Sequence, residues 1–326
     1  MSVSDINKVN KLSDVQIAFL ADDIKDFTEF DIFHNSTFAL MFEAQELGAK
    51  VFLATTNNLK IINNKVFAKF DEISLRKEIN SYLKVKDSSV YSLDSFNIIF
   101  ARKDPPIDEN YISYLQALSM VPHYGDDSLN SESKFKPLII NKPEGILKAN
   151  EKLYALNFPA LTPPTLVSSD KLEILEFLEK YKELVIKPLF NKGGEGVFYL
   201  NKNDKGSVSI IEKSISDNNR VLVQRYLPQV KEGDKRIMLL NGSPIGALSR
   251  IPKAGEFRAN MGLGASIKPY ELSKKDLKLP VTESSPSALS PRQQGRSSCS
   301  PSSLLCPSRS SFCRACWRVC FHKSRH

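Results

Sequence analysis

The stretch VIKPLFNKGGEGVFYL, residues 185–200, places a lysine on an apolar run and a cluster of glycines shortly after it. A Walker A loop has its lysine after the glycines and leads into a helix, and a dinucleotide-binding turn also leads into a helix. Here Lys187 precedes Gly193 and Gly194, and residues 197–200 are β-branched and aromatic, which predicts a strand. The sequence therefore predicts a glycine-tipped β-hairpin and excludes both helix-linked loops.

Two interpretations of this hairpin remain open from its own residues. Glycine lets backbone amides approach an anion closely and accepts positive φ, so the tip suits a phosphate, with the Lys187 ammonium close by. A tight turn beside a solvated lysine fits the same residues. Other parts of the chain have to decide between them.

Length and composition are those of an ordinary globular protein. The 326 residues suffice for about two domains and for a core that folds without disulfides. No apolar run approaches the roughly 20 residues that cross a bilayer, and the start of the chain has no apolar signal-peptide core. We therefore expect a cytoplasmic protein without a membrane partner, with residues 1–13 disordered.

The net charge of +8 is concentrated in residues 280–326. Six Arg and one Lys there face a single acid, Glu283, so that only +2 belongs to residues 1–279. A nucleic-acid partner is therefore not predicted. All five cysteines and the single tryptophan also lie in this Ser-, Pro- and Arg-rich tail, which has no periodicity and is predicted to be disordered.

The first part of the chain alternates strand and helix patterns. A helix is predicted over residues 36–47, with Phe38, Met41 and Phe42 on one face and Gly48 at its end. Strands are predicted at residues 15–20, 51–55, 96–100 and 138–140. These elements predict a small, largely parallel α/β domain over residues 14–140.

The middle of the chain has the pattern of an α+β domain, over residues 141–279. Asp170 and Glu173 resemble a capping box that opens a helix over residues 171–182. Asn241-Gly242 is a strong signal for a two-residue hairpin turn. Strands are predicted at residues 165–167, 184–189, 197–200, 220–224, 236–240 and 244–248, and they indicate a mainly antiparallel sheet.

Polar residues at strand ends give the phosphate interpretation more weight. The strand that ends at Gln224 is followed by Tyr226 and Leu227, which offer backbone groups and an apolar slot to an adenine edge. A single arginine at a strand end is most often a surface charge. Four of them at strand ends or on a glycine-bearing loop indicate a site for several anionic groups, because a guanidinium pairs bidentately with carboxylate and phosphate. The four are Arg102, Arg236, Arg250 and Arg258.

With these motifs together, the chain resembles the bacterial type of glutathione synthetase, a member of the ATP-grasp superfamily. The resemblance covers about residues 13–279, with the matching stretches in family order. They are the helix at 36–48, ARKDPPID at 101–108, IINKPEGILKANEKLY at 139–154, LTPPTLV at 161–167, the glycine hairpin, and residues 223–262. The resemblance implies a Rossmann-like pre-ATP-grasp domain, then an ATP-grasp domain that is truncated at its C-terminus.

The resemblance also implies an activity. It is that of a ligase that joins γ-glutamylcysteine to glycine through an acyl phosphate, cleaving ATP to ADP and phosphate, in a homo-oligomer that uses Mg²⁺ or Mn²⁺. The alternatives are a non-catalytic remnant that binds ATP and an ATP-grasp ligase of other specificity.

Residue roles follow from the same resemblance. Lys152 and Lys187 bind the nucleotide phosphates under a lid formed by Gly193 and Gly194, in which Asn191, Lys192 and Glu195 depart from the family pattern. Gln224, Tyr226 and Leu227 form the adenine hinge, and Asp234 lies beside the nucleotide. Arg236, Arg250 and Arg258 hold the substrate carboxylate and the acyl phosphate. Arg102 and Asn260 also bind substrate, and residues 251–264 form a loop that shields the intermediate from water.

The family pattern is lost after residue 279. The family continues with an aspartate and a Glu-x-Asn-x-x-Ser-Pro signature whose oxygens hold Mg²⁺. Here no asparagine follows Asn260 and no aspartate follows Asp276, and TESSP at residues 282–286 imitates only part of the signature. The three closely spaced thiols Cys313, Cys316 and Cys320 could suggest a metal site, but an accidental spacing fits this unpatterned tail better. We therefore expect no metal ligands, impaired activity, and a tail that comes from a shifted reading frame or a faulty gene model.

Overall fold

A computed structural model describes residues 12–24, 28, 32, 34–124, 136–149, 152–191, 193–274 and 276–278. Its contacts divide the chain into two compact units, which we describe separately. Unit A comprises residues 11–229, and the described part of unit B comprises residues 230–278. The predicted disorder at residues 1–13 and the tail from residue 280 lie outside the described residues, apart from residues 12 and 13.

Unit A begins with a seven-stranded sheet. Its strands are β1 (Gln16–Ala21), β2 (Lys50–Thr55), β3 (Lys60–Ile62), β4 (Lys65–Leu75), β5 (Leu83–Ser92), β6 (Ile98–Arg102) and β7 (Leu138–Ile140). The order is β3-β4-β2-β1-β6-β7, and β5 pairs with β4. The pairs of β1 with β2, β1 with β6 and β6 with β7 are parallel, as predicted. The sequence did not predict β3, β4 and β5, which are antiparallel and make this a mixed sheet.

Three helices accompany this sheet: α1 (Ser36–Glu46), α2 (Glu109–Ser119) and α3 (Pro143–Lys148). The predicted helix α1 begins because Asn35 accepts hydrogen bonds from the amides of Thr37 and Phe38, and it is followed by Gly48 at φ 92°. Helix α2 was not predicted. Its N-cap Asp108 accepts from the Tyr111 amide, and its buried residues join the core of the sheet.

A second, four-stranded sheet completes unit A. It contains β8 (Thr165–Ser168), β9 (Glu183–Pro188), β10 (Phe198–Asn201) and β11 (Val221–Arg225) in the order β10-β9-β11-β8, with all pairs antiparallel as predicted. Two helices, α4 (Lys171–Tyr181) and α5 (Gly206–Ser214), bury Ile174, Leu178 and Ile211 in its core.

Helix α4 starts at the predicted cap, but the predicted capping box is only half formed. Asp170 accepts hydrogen bonds from the amides of Leu172 and Glu173. The Glu173 carboxylate, however, accepts from the Ser168 hydroxyl, and the Asp170 amide donates to that same Ser168 oxygen instead of to Glu173. Ser168 thus links the two ends of the cap.

Unit B holds a three-stranded antiparallel sheet of β12 (Asp234–Leu240), β13 (Ser243–Ile251) and β14 (Ser266–Pro269). Strands β12 and β13 are joined by Asn241-Gly242, both at positive φ, which confirms the predicted hairpin. Strand β14 was not predicted. Among the described residues of the whole chain, no helix has the length and apolarity of a membrane span.

Candidate functional site

The glycine hairpin has the predicted architecture. Strands β9 and β10 pair antiparallel from Ile186 opposite Phe198 to Glu183 opposite Asn201, so a strand follows the glycines, as expected. Gly193, Gly194 and Gly196 have φ of 69°, 84° and 68°, values that L side chains rarely adopt. A Cβ on Gly196 would lie 3.0 Å from the Pro188 ring, whereas one on Gly193 would meet nothing within 4 Å. The tip of the turn is therefore open around Gly193 and packed at Gly196.

Lys187 lies on β9 just before this turn and is half-buried. Its Nζ donates to Oε1 of Gln224 on the neighbouring strand β11 over 2.7 Å, and Nε2 of Gln224 donates to Thr165 Oγ1 over 3.0 Å. Burial lowers the pKa of Lys187, and the positive charge of Lys152 lowers it further. The structure thus brings together the predicted residues Lys152, Lys187 and Gln224, with Thr165 orienting the Gln224 amide.

Lys152 reaches the same turn from a different part of the chain. Its Nζ donates to the backbone oxygens of Leu189 and Asn191, over 3.1 and 3.0 Å. These carbonyl groups belong to the residues that lead from β9 into the glycines. Two ammonium groups therefore lie at the root of the hairpin, where they donate to neutral carbonyl and amide oxygens. Lys192, another residue of the predicted lid, lies outside the described residues.

The predicted adenine hinge follows β11. The Tyr226 amide donates to the Glu183 carbonyl oxygen over 3.0 Å, which continues the sheet pairing for one residue beyond the strand. The Tyr226 ring packs edge-on against Tyr199 with centroids 5.0 Å apart, and the Tyr199 hydroxyl donates to the Glu183 carboxylate. Leu227 is exposed. Tyr226 is thus fixed on both its backbone and its ring, and Leu227 leaves an apolar side chain at the surface.

Sequence reasoning did not identify Tyr199 and Glu183 as supports of this hinge. Burial raises the pKa of the Tyr199 hydroxyl, and its hydrogen bond to Glu183 raises it further. The signal that could have found the pair is the hairpin register, because Asn201 lies opposite Glu183 and the ring of Tyr199 is two residues before Asn201. That register depends on the length of the turn, which the residue pattern alone leaves open.

In unit B, two predicted site residues pair with each other. Asp234 and Arg250 lie opposite each other on β12 and β13. Nε and Nη2 of Arg250 donate to the two carboxylate oxygens of Asp234, the first over 2.8 Å. Arg236 is two residues beyond Asp234 on the same face of the strand and is exposed. One face of the sheet therefore carries the guanidinium of Arg250, which is paired with a carboxylate, and the guanidinium of Arg236, which is exposed.

Arg258 also has a carboxylate partner. Its Nε and Nη2 donate to Oε1 and Oε2 of Glu256 over 3.1 and 2.7 Å, and this pairing lowers the pKa of Glu256 to about 2. The sequence analysis did not single out Glu256, whose side chain also accepts from the amides of Phe257 and Arg258. Asn260, two residues further, is half-buried and accepts from the Leu263 amide at its backbone oxygen. The predicted loop is thus internally hydrogen-bonded around its arginine.

Arg102 lies in unit A and was predicted as a substrate-binding residue. It ends β6, and its Nε and Nη2 donate to the hydroxyls of Thr37 and Ser36, over 3.0 and 2.7 Å. It is therefore held at the N-terminus of helix α1. Arg236, Arg250 and Arg258 belong to unit B.

A magnesium site is not formed by the described residues. In that part of the chain no three His, Cys, Asp or Glu side chains come together as a metal-binding group. Asp234 is engaged by Arg250, and Asp276 accepts from the Tyr270 hydroxyl and the Ser273 amide. These carboxylates do not fit the free oxygen set that Mg²⁺ or Mn²⁺ prefers. The partial signature at residues 282–286 and the tail cysteines lie outside the described residues.

Comparisons with known proteins cover both parts of the described chain. Residues 15–146 match the family model "Prokaryotic glutathione synthetase, N-terminal domain", and residues 151–287 match "Prokaryotic glutathione synthetase, ATP-grasp domain". The chain is 36% identical over 275 residues to the glutathione synthetase of Synechocystis sp., which covers 81% of this chain and 82% of the relative. It is 36% identical over 272 residues to the glutathione synthetase of Nostoc sp., covering 80% of each.

Two solved structures match this chain at much lower sequence identity. A crystal structure of the D-cycloserine synthetase DcsG has a TM-score of 0.48 at 14% identity, covering 72% of this chain and 68% of that one. The D-alanyl-alanine synthetase A of Vibrio cholerae has a TM-score of 0.48 at 12% identity, covering 81% of this chain and 77% of that one.

Proposed function

The chain belongs to the prokaryotic glutathione synthetase family of ATP-dependent ligases, and on that premise we propose that it joins γ-glutamylcysteine to glycine with cleavage of ATP to ADP and phosphate. The observation that carries this proposal is the match over both domains, at 36% identity to relatives whose own length is covered to about four fifths. A match to the ATP-grasp domain alone would support only an unspecified ligase.

The reaction has two steps under this proposal. An oxygen of the cysteinyl carboxylate attacks the γ-phosphorus of ATP, the bond to the β-phosphate oxygen breaks, and ADP leaves. The glycine amine then attacks the acyl carbon, phosphate leaves, and the amine loses a proton. Both steps gather negative charge on phosphoryl oxygens, so positioning and fixed positive charge are what a protein can contribute most.

We assign the phosphate groups of ATP to the root of the glycine hairpin. Lys152 and Lys187 each carry an ammonium there, and the charge of Lys152 makes protonation of Lys187 less favourable. A phosphate would reverse that penalty, because its negative charge favours both protonated forms. The open space at Gly193 suits a close approach to phosphate oxygens, and we assign Gly194, which also has a positive φ, to the same lid. Gln224, Tyr226 and Leu227 are assigned to the adenine.

We assign the carboxylate and the acyl phosphate to the arginines of unit B. Arg236 is exposed, and Arg250 and Arg258 already present paired N–H donors to carboxylates, the geometry that a substrate carboxylate or phosphate also uses. Asp234 and Asn260 are assigned as neighbours of nucleotide and substrate. Arg102 is assigned to substrate in unit A.

We further propose that this chain turns over more slowly than an intact relative. The described residues offer no magnesium ligands, and the sequence has no asparagine after Asn260 and no aspartate after Asp276. The metal ion, when bound in this family, neutralises charge on the ATP phosphates. Without its ligands, ATP can still be held by the lysines, but the γ-phosphate is less well oriented and less activated.

The test is a coupled assay of ADP release with ATP, γ-glutamylcysteine and glycine. The Synechocystis enzyme serves as the reference under the same conditions, and titration calorimetry measures ATP binding in parallel. We expect ATP binding together with slow ADP release that depends on both substrates. ADP release without dependence on γ-glutamylcysteine would contradict the assigned reaction, and a rate equal to the reference would contradict the impairment.

A further inference from the structure

Polar side chains of three neighbouring strands are linked across one face of the second sheet of unit A. Thr165 on β8 lies directly opposite Gln224 on β11. Lys187 on β9 lies opposite Leu222, which is two residues before Gln224 on β11. Because residues two apart on a strand share a face, these three polar side chains point to the same side of the sheet. Helices α4 and α5 pack on the other side, where Val223 belongs to their core.

The hydrogen of the Thr165 hydroxyl decides how the Gln224 amide is oriented. Thr165 Oγ1 donates to the Pro163 backbone oxygen over 2.7 Å, and a carbonyl oxygen can only accept. A hydroxyl has one hydrogen, so towards Gln224 the same oxygen can only accept, which it does from Nε2 over 3.0 Å. The Gln224 carbonyl is therefore turned the other way, and its Oε1 accepts from Lys187 Nζ over 2.7 Å.

A reversed Gln224 amide would bind the neutral form of Lys187 better than the charged form. Its NH₂ group would face an ammonium that only donates, whereas a neutral amine could accept a hydrogen bond through its lone pair. Its carbonyl oxygen would meet the Thr165 oxygen with no hydrogen between them. The Thr165 hydroxyl therefore holds the amide in the orientation that binds the ammonium.

Lys187 depends on this acceptor because its surroundings otherwise disfavour its charge. Burial lowers the pKa of Lys187, and the positive charge of Lys152 lowers it further. The Gln224 carbonyl opposes both effects, because a hydrogen bond to the charged form favours that form. It takes one of the three ammonium hydrogens, so two remain for an anion.

We propose that Thr165 is a positioning residue that acts through Gln224 on Lys187, and this assignment rests on the proposed function. The Thr165 hydroxyl fixes the Gln224 amide, and the amide carbonyl fixes the Lys187 ammonium. The two remaining ammonium hydrogens are then directed to the ATP phosphates. Each hydrogen stays on its own donor throughout. Thr165 thereby raises the affinity for ATP without contacting a phosphate.

The first experiment titrates Lys187 in the full chain without nucleotide. NMR spectra of protein labelled with ¹³C-lysine follow the protonation of the lysine side chains, and the Lys187 signal is identified by its loss in Lys187→Arg. Thr165→Val removes the hydroxyl, so the Gln224 amide can turn its NH₂ group to the neutral amine. We expect the pKa of Lys187 to shift downward in Thr165→Val. In Thr165→Ser, which keeps the hydroxyl, this pKa should be unchanged.

The second experiment measures ATP affinity at neutral pH by titration calorimetry. Thr165→Val should bind ATP about fivefold more weakly, and Thr165→Ser should stay within about twofold of the wild type. Thr162→Val is the matched control and should change nothing. It removes a half-buried hydroxyl of the same segment, which donates to the backbone oxygens of Phe158 and Pro159. In Lys187→Met, adding Thr165→Val should cause no further loss, because the side chain on which Thr165 acts is already gone.

An unchanged pKa of Lys187 in Thr165→Val would overturn the assignment. Equal losses of ATP affinity in Thr165→Val and Thr165→Ser would also overturn it, and so would a full further loss in the Lys187→Met background. A shifted pKa with unchanged ATP affinity would contradict the part of the proposal in which Thr165 affects phosphate binding. A wild-type chain that does not bind ATP would count against the proposed function, and the titration of Lys187 would still test the effect of Thr165.

Discussion

Lys152 and Lys187, beside the glycine hairpin, donate to neutral oxygens, whereas Arg250 and Arg258 of unit B donate to carboxylates. Both pairs of cations were predicted to bind anionic groups, but an incoming anion meets different conditions at each. At the lysines it adds a negative charge beside two positive ones. At the arginines it has to displace or share a carboxylate that is already bound bidentately.

An anion that binds at the lysines therefore adds a new attraction, whereas an anion that binds at the arginines replaces an existing ion pair. A phosphate at the lysines is attracted by two ammonium groups, and it offsets the effect of the Lys152 charge, which disfavours protonation of Lys187. A carboxylate at Arg250 or Arg258 gains only the difference between its own ion pair and the ion pair that Asp234 or Glu256 gives up. We therefore expect substitutions at the lysines to change nucleotide affinity strongly, and substitutions at the carboxylate partners to change substrate affinity weakly.

The largest expected effect is at Lys187. Lys187→Met removes an ammonium at the root of the hairpin, and ATP affinity should fall about 10- to 100-fold, because hydrogen bonds to charged groups are worth about 1.5–3 kcal/mol. Titration calorimetry measures the loss. Lys60→Met, which replaces an exposed lysine on β3, is the control and should change ATP affinity by no more than about twofold. Unchanged ATP affinity in Lys187→Met would contradict the assignment of the ATP phosphates to the lysines at the root of the hairpin.

The second effect is on the free energy of unfolding, and it compares a glycine of unit B, Gly233, with a glycine of the hairpin, Gly193. A Cβ on Gly233, at φ 110°, would lie 2.8 Å from the backbone oxygen of Arg250 and 2.9 Å from Ser249 Oγ. Gly233→Ala should therefore cost about 2–3 kcal/mol of unfolding free energy in urea. Gly193→Ala, at a φ of 69° and in open space, should cost only about 1 kcal/mol. Equal costs would mean that unit B relaxes around the added methyl group.

The third effect is the pH dependence of ATP binding. An anion binds the protonated ammonium, and the pKa of Lys187 lies below the ordinary value of 10.5. ATP affinity should be highest at pH values below this lowered pKa and should fall as pH rises through it, because the neutral amine no longer attracts the anion. Calorimetry at a series of pH values from neutral to alkaline measures the decline. In Lys187→Arg the guanidinium stays charged, so the decline should become shallower, and an identical profile would show that another group titrates.

The smallest effect is at the loop arginine. Glu256→Gln removes the negative charge that pairs with Arg258 and should raise the affinity for γ-glutamylcysteine up to about threefold, because partly exposed ion pairs are worth about 0–1 kcal/mol. The pKa of Glu256 is lowered to about 2, so the pair persists above that pH and is lost only as pH falls through it. The gain should therefore be the same at any ordinary assay pH. Glu179→Gln, which breaks exposed ion pairs with Lys182 and Lys202, is the control and should change nothing.

Local signals in the sequence were enough to predict several elements. The residues after Gly194 predict a strand, Asn241-Gly242 predicts a two-residue turn, and Asp170 predicts the start of a helix, and all three are confirmed. Helix α2 also had a readable signal that was not used, an aspartate cap followed by Tyr111, Tyr114, Leu115 and Leu118 at helical spacing.

Other features could not be predicted from local patterns. Strand β5 is mostly exposed and polar, and it exists because it pairs along the length of β4. The Asp234 partner of Arg250 depends on the register of β12 against β13, and the burial of Tyr114 depends on how helix α2 packs. These are long-range contacts, and a sequence pattern reports only short-range preferences. The Glu256 partner of Arg258 is only two residues away, but their contact depends on side-chain rotamers, which the pattern does not specify.

The ammonium of Lys152 holds the carbonyl groups of Leu189 and Asn191, at the point where strand β9 turns into the glycines. A phosphate that draws the Lys152 ammonium out of reach of those two carbonyl oxygens leaves them to find water or a new donor. Arrival of the anion and release of the root of the hairpin are then a single exchange of partners. Under the proposed assignment of the ATP phosphates to this root, the apparent affinity for ATP would include the free energy that those two carbonyl groups lose in the exchange.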